Sequence, residues 1–227
     1  MKKNEFFIDN VRKAREYSFN FEILSIIGTS FFSYKPPKKN GYCNLGCGPR
    51  FLKDYVNADF YLFNKLRTLL KIDKVPNVDW QIDLRKKLKC NDSFFEGILV
   101  EHVLEHLNII DVFKLLKEIK RILKPSSTLR ISVPDLEIYA QYYLNGKKKS
   151  EKFSMWDQNR GEAIWSLAHN FGHNCIYDYE FLKKILTLAG FINITKKEFN
   201  QSSDKMLKID DPGRAWESLY VEATPDK

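Results

Sequence analysis

The segment Tyr42-Cys-Asn-Leu-Gly-Cys-Gly-Pro-Arg50 decides how the chain is read. Its start, Tyr42–Leu45, has the length of a short strand, and two glycines one residue apart follow at once. Glycine accepts positive φ and lets a ligand approach the backbone where a Cβ would clash. In open α/β sheets ligands bind beyond the carboxyl ends of the strands, and Gly46 and Gly48 stand at that point. A structural turn uses the same pair, so the neighbours must choose between a plain turn and a ligand cradle. They also narrow the ligand. A dinucleotide site asks for G-x-G-x-x-G, but the third position holds Phe51, and little room remains for a diphosphate-binding helix before Val56. No G-K-[ST] follows, which excludes a P-loop.

Upstream, Lys35-Pro-Pro-Lys-Lys-Asn-Gly41 cannot continue a helix. It separates an N-terminal extension, 1–40, from a main domain, 41–227. One or two helices are expected within Phe6–Ile27. Downstream, strands are expected at Tyr55–Asp59, Val78–Ile82, Phe94–Val100 and Thr128–Val133. Phe94–Val100 is a nearly continuous apolar run, the pattern of a strand buried on both faces. Between the last two strands, Ile109, Val112, Phe113, Leu116, Ile119 and Leu123 recur at helical spacing, predicting a helix over 110–123 that Pro125 follows. Residues 137–165 are irregular and helical in parts. A helix over Asp178–Ala189 stops at Gly190, and strands at Phe191–Lys197 and Ser218–Ala223 end the chain. This alternation predicts an α/β fold with a doubly wound, mostly parallel sheet.

Composition sets the outer bounds. Hydrophobic residues make up 44% of 227 and aromatics 14%, enough for a large core and too many for a disordered chain. No apolar run reaches the roughly 18 residues of a membrane span, and no signal peptide is recognised at the start. Cys43, Cys47, Cys90 and Cys175 have neither metal-ligand nor disulfide-framework spacing. They read as reduced thiols of a cytoplasmic protein. The formal net charge of +8 suits an anionic partner. The densest basic runs, 85–89 and 147–149, read as solvated loops, and no RNA-binding motif accompanies them.

Two acids favour the cradle. Asp59 ends the second strand and Asp83 follows the third, so both project toward the crevice of Gly46. One carboxylate can accept from the two hydroxyls of a ribose and the other from an adenine amino group. At this point "NLGCGPR", "VNADF", "QIDLRKKL", "FFEGILVEHVLEHL", "LLKEIKRILKPSSTLRISVPD" and "FLKKILTLAGF" occur in the order found in class I S-adenosylmethionine-dependent methyltransferases. The chain resembles that family over about 41–197 and again in a final strand, "ESLYVEA". It is most similar to small bacterial methyltransferases of sugar and cell-surface glycan gene clusters. The resemblance implies a Rossmann-like, seven-stranded sheet whose last strand is antiparallel. It also implies that Asn44, Leu45, Gly46, Cys47 and Gly48 cradle the methionine part of S-adenosyl-L-methionine, that Asp59 and Phe60 hold the ribose, and that Asp83 and Leu84 frame the adenine. Three features depart from the family pattern. Asn44 replaces the usual first-strand acid, Arg50 replaces the third glycine of G-x-G-x-G, and only 12 residues lie between Gly46 and Asp59, so the first helix shrinks to a turn.

Methyl transfer proceeds by in-line attack, for which orientation and a general base both matter. Glu101 and His102 end the fourth strand beside the expected methyl position. The backbone there is expected to meet the cofactor, with the His102 side chain facing the acceptor and His106 one helical turn on. Asp135 is a further rim acid, a candidate base or a helix cap. His169 and His173 precede the Asp178 helix, but Gly172 and the lack of an H-E-x-x-H glutamate argue against a metal pair, and no metal is expected. His173 instead suits a lid over the acceptor, within an acceptor-side insertion of about 137–180. Trp156, Trp165 and Tyr177 are candidates to stack on a sugar ring or to pack in the core. The leading expectation is methyl transfer to a small polar or glycan-linked acceptor. Transfer to RNA or protein, motivated by the charge, and a non-catalytic binding protein, motivated by Asn44 and Arg50, are the alternatives. Nucleic acid is disfavoured as a partner, and a peripheral membrane contact of the N-terminal helix is a further expectation.

Overall fold

A computed structural model describes residues 35–37, 41–60 and 78–226. The helices expected within Phe6–Ile27, and most of the 1–40 extension with them, lie outside the described residues. Seven strands form one sheet: β1 (Tyr42–Leu45), β2 (Val56–Asp59), β3 (Trp80–Gln81), β4 (Phe95–Glu101), β5 (Leu123–Pro134), β6 (Phe191–Lys197) and β7 (Ser218–Pro225). Their order is β3-β2-β1-β4-β5-β7-β6. All run parallel except β7, which is antiparallel to both neighbours. The helices are α1 (Ile109–Ile122), α2 (Leu136–Asn145), α3 (Gly161–His169) and α4 (Tyr179–Leu188).

β4 is central because its sequence is apolar on both faces. Ile98 and Val100 join the core that includes Val112, Leu116 and Ile119 of α1 and Leu182 and Leu186 of α4. Leu99 points the other way, against Leu52, Tyr55 and Leu207. α1 starts where the Asn108 side chain accepts from Ile110 N–H and Asp111 N–H, at 3.1 and 3.0 Å, which satisfies two orphan donors of the first turn. α2 and α3, with a short 3₁₀ turn over Glu151–Trp156, enclose a separate aromatic core. There Tyr139, Phe153 and Trp156 pack with Trp216.

Three boundaries differ from the sequence expectation. β3 is only two residues long, because Asp79 turns its carboxylate onto β2, accepting from Asn57 N–H and Nδ2–H at 3.0 and 3.1 Å. β5 starts at the end of α1 rather than at Thr128, since Pro125 forbids further helix and the fully buried Leu123 already pairs with Phe95. Between Gly46 and the start of β2 at Val56 there are only turns and irregular backbone, so the short spacing leaves no helix there.

The long connection from β6 to β7 crosses the sheet and is pinned by Arg130 of β5, which has no exposed surface. Its Nε donates to Asp210 Oδ1 at 2.6 Å and its Nη2 to Asp210 Oδ2. Nη1 donates to Glu222 Oε1 and to the Gln201 carbonyl, and Nη2 to the Glu198 carbonyl, at 3.0, 2.9 and 3.2 Å. All five guanidinium donors are used. Removing one partner of a buried pair strands the other charge. Asp210→Ala is therefore expected to cost on the order of 3–5 kcal/mol in chemical denaturation. Lys114→Ala, which breaks an exposed pair with Asp111, is expected to cost under about 0.5 kcal/mol; equal losses would show that Arg130 does not organise this connection.

Candidate active site

A cavity of about 480 Å³ opens beyond the carboxyl ends of β1, β2 and β4. Asn44, Gly46, Cys47, Gly48, Asp59, Asp83, Leu84, Glu101, His102 and His106 all line it. Leu45 is fully buried, and its side chain belongs to the core. Phe60 is not among the lining residues; its N–H donates to its neighbour Asp59 Oδ1 at 2.6 Å.

The glycine turn is built by φ and by close packing. Gly46 has φ +75°, and a Cβ there would lie 2.5 Å from Val103 Cγ2. The N–H groups of Gly46 and Cys47 both donate to the Ala58 carbonyl, at 2.8 and 3.1 Å. Gly48 has φ +51° and nothing within 4 Å of the place a Cβ would take, so a ligand can lie against its backbone. Its N–H donates to Asp59 Oδ2 at 2.7 Å. Burial pushes the Asp59 carboxyl above the usual range, and the N–H groups of Phe60 and Gly48 oppose that shift. Each Asp59 oxygen keeps a second acceptor site. Asp83, also buried, has both oxygens held by Arg85, at 3.1 Å each.

Asn44 and Arg50 have definite work here. Asn44 Nδ2 donates to the Arg50 carbonyl at 2.8 Å and to Asn57 Oδ1 at 3.3 Å. A carboxylate at 44 could donate neither bond. The Arg50 guanidinium meets Glu101 Oε2 at 2.5 Å and donates to the Ile209 carbonyl, and Glu101 Oε1 accepts from Asp211 N–H at 2.7 Å. Burial raises the Glu101 carboxyl; the Asp211 N–H and Arg50 pull it back.

The acceptor side starts at His102. Its φ is +51°, uncommon for a non-glycine residue, and it swings the chain out of β4. Both ring nitrogens are engaged: Nε2 lies 2.7 Å from Ser218 Oγ, and Nδ1 lies 3.1 Å from Glu105 Oε1. These two contacts hold the His102 ring in place, and His102 lines the wall of both cavities. Glu105 is almost wholly buried. Burial pushes its carboxyl up, but His102, His106 and His173 outweigh that and leave it below the usual range. Burial holds His106 below the usual imidazole range, against the pull of Glu105. The His106 and His173 rings meet edge to face, with centroids 5.0 Å apart. A second cavity, about 60 Å³, lies beyond them and shares His102, His106, Phe171 and Arg214 with the first.

His169 and His173 do not pair. His169 ends α3 with its ring 6.1 Å from Trp165, and the left-handed Phe171 and Gly172 separate it from His173. Asp135 lines neither cavity; it caps α2 by accepting from Glu137 N–H at 3.0 Å, with Lys196 3.7 Å away. Trp156 and Tyr177 are core residues. Sequence reasoning missed Glu105, Ser218, Arg214 and Phe171. Glu105 had a signal: Glu101-His102 and Glu105-His106 repeat the same pair four residues apart. Ser218 and Arg214 come from distant segments and had none; Phe171 lies in the histidine-bearing stretch read as a lid, but nothing singled it out there.

The sequence profile described as methyltransferase domain matches residues 25–196. The chain belongs to the methyltransferase domain family. Its cofactor is S-adenosylmethionine, and the cavity fits that group, with an open backbone at Gly48 and acids at Asp59 and Asp83. Among solved structures, a SAM-dependent methyltransferase from Archaeoglobus fulgidus is similar at 18% identity, with 81% of this chain and 85% of that one covered and a TM-score of 0.52. The PH0226 protein from Pyrococcus horikoshii OT3 is similar at 15% identity over 93% and 92% of the two chains, with a TM-score of 0.49. No curated protein matches significantly. Among the described residues, no helix of this methyltransferase is long and apolar enough to cross a membrane.

The two glycines are expected to respond differently. Gly46→Ala meets both the φ penalty and Val103, so it is expected to cost about 2–4 kcal/mol. Gly48→Ala meets only the φ penalty, about 1–2 kcal/mol, and its methyl enters the cavity. Urea denaturation with calorimetry of S-adenosylhomocysteine checks both: Gly46→Ala losing more stability and Gly48→Ala losing affinity is the expected pattern.

Proposed function

We propose that this methyltransferase acts on a small polar acceptor, a sugar hydroxyl of a nucleotide-sugar or glycan precursor, in the cytoplasm. The observation that carries the reading is the second cavity, joined to the first through His102 and His106 and walled by imidazoles, a buried carboxylate and Arg214. An acceptor hydroxyl reaching through it arrives beside groups that can position it and take its proton. S-adenosylmethionine, when bound, supplies an electrophilic methyl carbon on a sulfonium sulfur.

The chain's own residues do the rest. Gly48 leaves its backbone open to the methionine part, and Asp59 and Asp83 offer acceptor sites to ribose and adenine. Glu105 and Ser218 fix the His102 ring, which supports the junction of the two cavities. His106, kept neutral by burial, has a lone pair that can accept the hydroxyl proton, the role of a general base. Phe171 and Arg214 close the far side. Four free thiols, with burial raising each of them, suit a reducing cytoplasm.

Calorimetry with S-adenosylhomocysteine, with NADH as control, is expected to show micromolar binding of the first alone. S-adenosylhomocysteine release over a panel of nucleotide sugars and oligosaccharides then tests the acceptor. His106→Ala is expected to lower kcat by about 10²–10⁴-fold with S-adenosylhomocysteine affinity retained. Turnover with RNA and with no carbohydrate would reject the acceptor class.

A further inference from the structure

We propose that Glu105, His106 and His173 form a binding site for one divalent transition-metal ion at the junction of the two cavities. The inference rests on the methyl-transfer reading only for its purpose, and not for the site itself. One ligand atom from each residue lies within 4.8 Å of the others, a spread that small side-chain rotations bring to the ligand spacing of a metal with bonds near 2.1 Å. Two imidazoles and one carboxylate are a donor set for borderline ions such as Zn²⁺, Co²⁺ or Fe²⁺, with positions left open, whereas Mg²⁺ and Ca²⁺ prefer oxygen ligands.

Two further observations point to a ligand. Glu105 is 1% exposed; its Oε1 has a 3.1 Å ion-pair contact with His102 Nδ1, and neither side-chain oxygen has a hydrogen-bond partner among the described residues. A buried carboxylate is costly unless its oxygens are satisfied, so Oε2 is an unpartnered donor atom suited to a cation. His173 has the second contact typical of metal-bound histidines: Nδ1 lies 2.8 Å from the Leu167 carbonyl, which fixes the proton on Nδ1 and leaves Nε2 as the nitrogen with a lone pair for a metal. The strands of chain holding the three residues are tied together. The Glu105 carbonyl accepts from Asn174 N–H and Cys175 N–H, at 2.7 and 3.1 Å, and Asn174 Nδ2 donates to the His106 carbonyl at 2.9 Å. The adjoining cavity of about 60 Å³ has room for an ion's water or an acceptor oxygen. With an ion bound, the His106 lone pair is a metal ligand and no longer the base; a hydroxyl coordinated there ionises more readily, its proton passing to water instead.

Titration of the full chain, freed of metal by a chelator, with ZnCl₂ tests the site. One equivalent is expected to bind, and Glu105→Gln and His173→Ala are each expected to weaken binding by at least about 100-fold, beyond the loss of a mere supporting group. His169→Ala, outside the cluster, is expected to bind as the parent does. With the unaltered chain, Co²⁺ is expected to give a visible ligand-field band that saturates at one equivalent and disappears on adding Zn²⁺. S-adenosylhomocysteine binding by each variant shows that it is folded. No stoichiometric binding, or binding that neither substitution weakens, overturns the proposal. If the metal-free chain still binds S-adenosylhomocysteine in that case, the methyltransferase reading stands without the ion.

Discussion

The structure depends on one buried cation. Arg130 sits in β5, in the middle of the sheet, with no access to water. A guanidinium there is tolerated only if every donor finds an acceptor and its charge is matched. β5 and β7 cannot supply that alone, since Glu222 is the one acid they bring. The missing acceptors come from the β6–β7 connection: Asp210 and the carbonyls of Glu198 and Gln201. Satisfying Arg130 therefore fixes the path of a segment that has almost no regular structure.

That path reaches the site one residue later. Asp211 N–H binds Glu101, and the Ile209 carbonyl takes a bond from Arg50. Arg50 in turn holds Glu101, and its carbonyl is held by Asn44. A continuous set of polar contacts thus runs from the sheet interior to the two-glycine turn. Within it, Asn44 and Arg50 stop looking like losses. The short β1–β2 connection has no helix to set its shape, so side chains must do so. An amide at 44 can donate to the loop carbonyl, and an arginine at 50 can span to β4 where a glycine would leave a gap.

Elements with a strong local pattern were legible in the sequence. The apolar run of β4, the 3.6-residue period of α1, and Asp178 and Gly190 at the ends of α4 each depend on neighbours a few residues away. So did the placement of Gly46, Gly48, Asp59 and Asp83 at one edge of the sheet, which follows from strand ends alone. What distant segments decide was not legible. Arg130 reads in sequence as an ordinary polar residue of a strand, and nothing local says that Asp210 will reach it. Asp135 and Tyr177 each carried two readings in the sequence, and the structure takes the structural one of each: Asp135 caps α2, and Tyr177 is a core residue whose hydroxyl donates to the Leu104 carbonyl. The fixing of the His102 ring was not legible either, because its partner Ser218 lies 116 residues away.

The acceptor side carries its cost in the backbone. His102 and Phe171 both adopt positive φ, and both line the junction of the two cavities. Such a conformation costs a non-glycine residue roughly 1–3 kcal/mol and persists only where surroundings impose it. Here the surroundings are visible. Ser218 and Glu105 hold the His102 ring, and the Asn174 and Cys175 amides pull the loop that follows Phe171 onto the Glu105 carbonyl. The repeated pair Glu101-His102 and Glu105-His106 divides this work. Glu101 faces back to Arg50 and the glycine turn, while Glu105 faces forward to three imidazoles. Four residues of one segment thus separate a cofactor side from an acceptor side, and the left-handed turn at His102 is what sends the two acids in different directions.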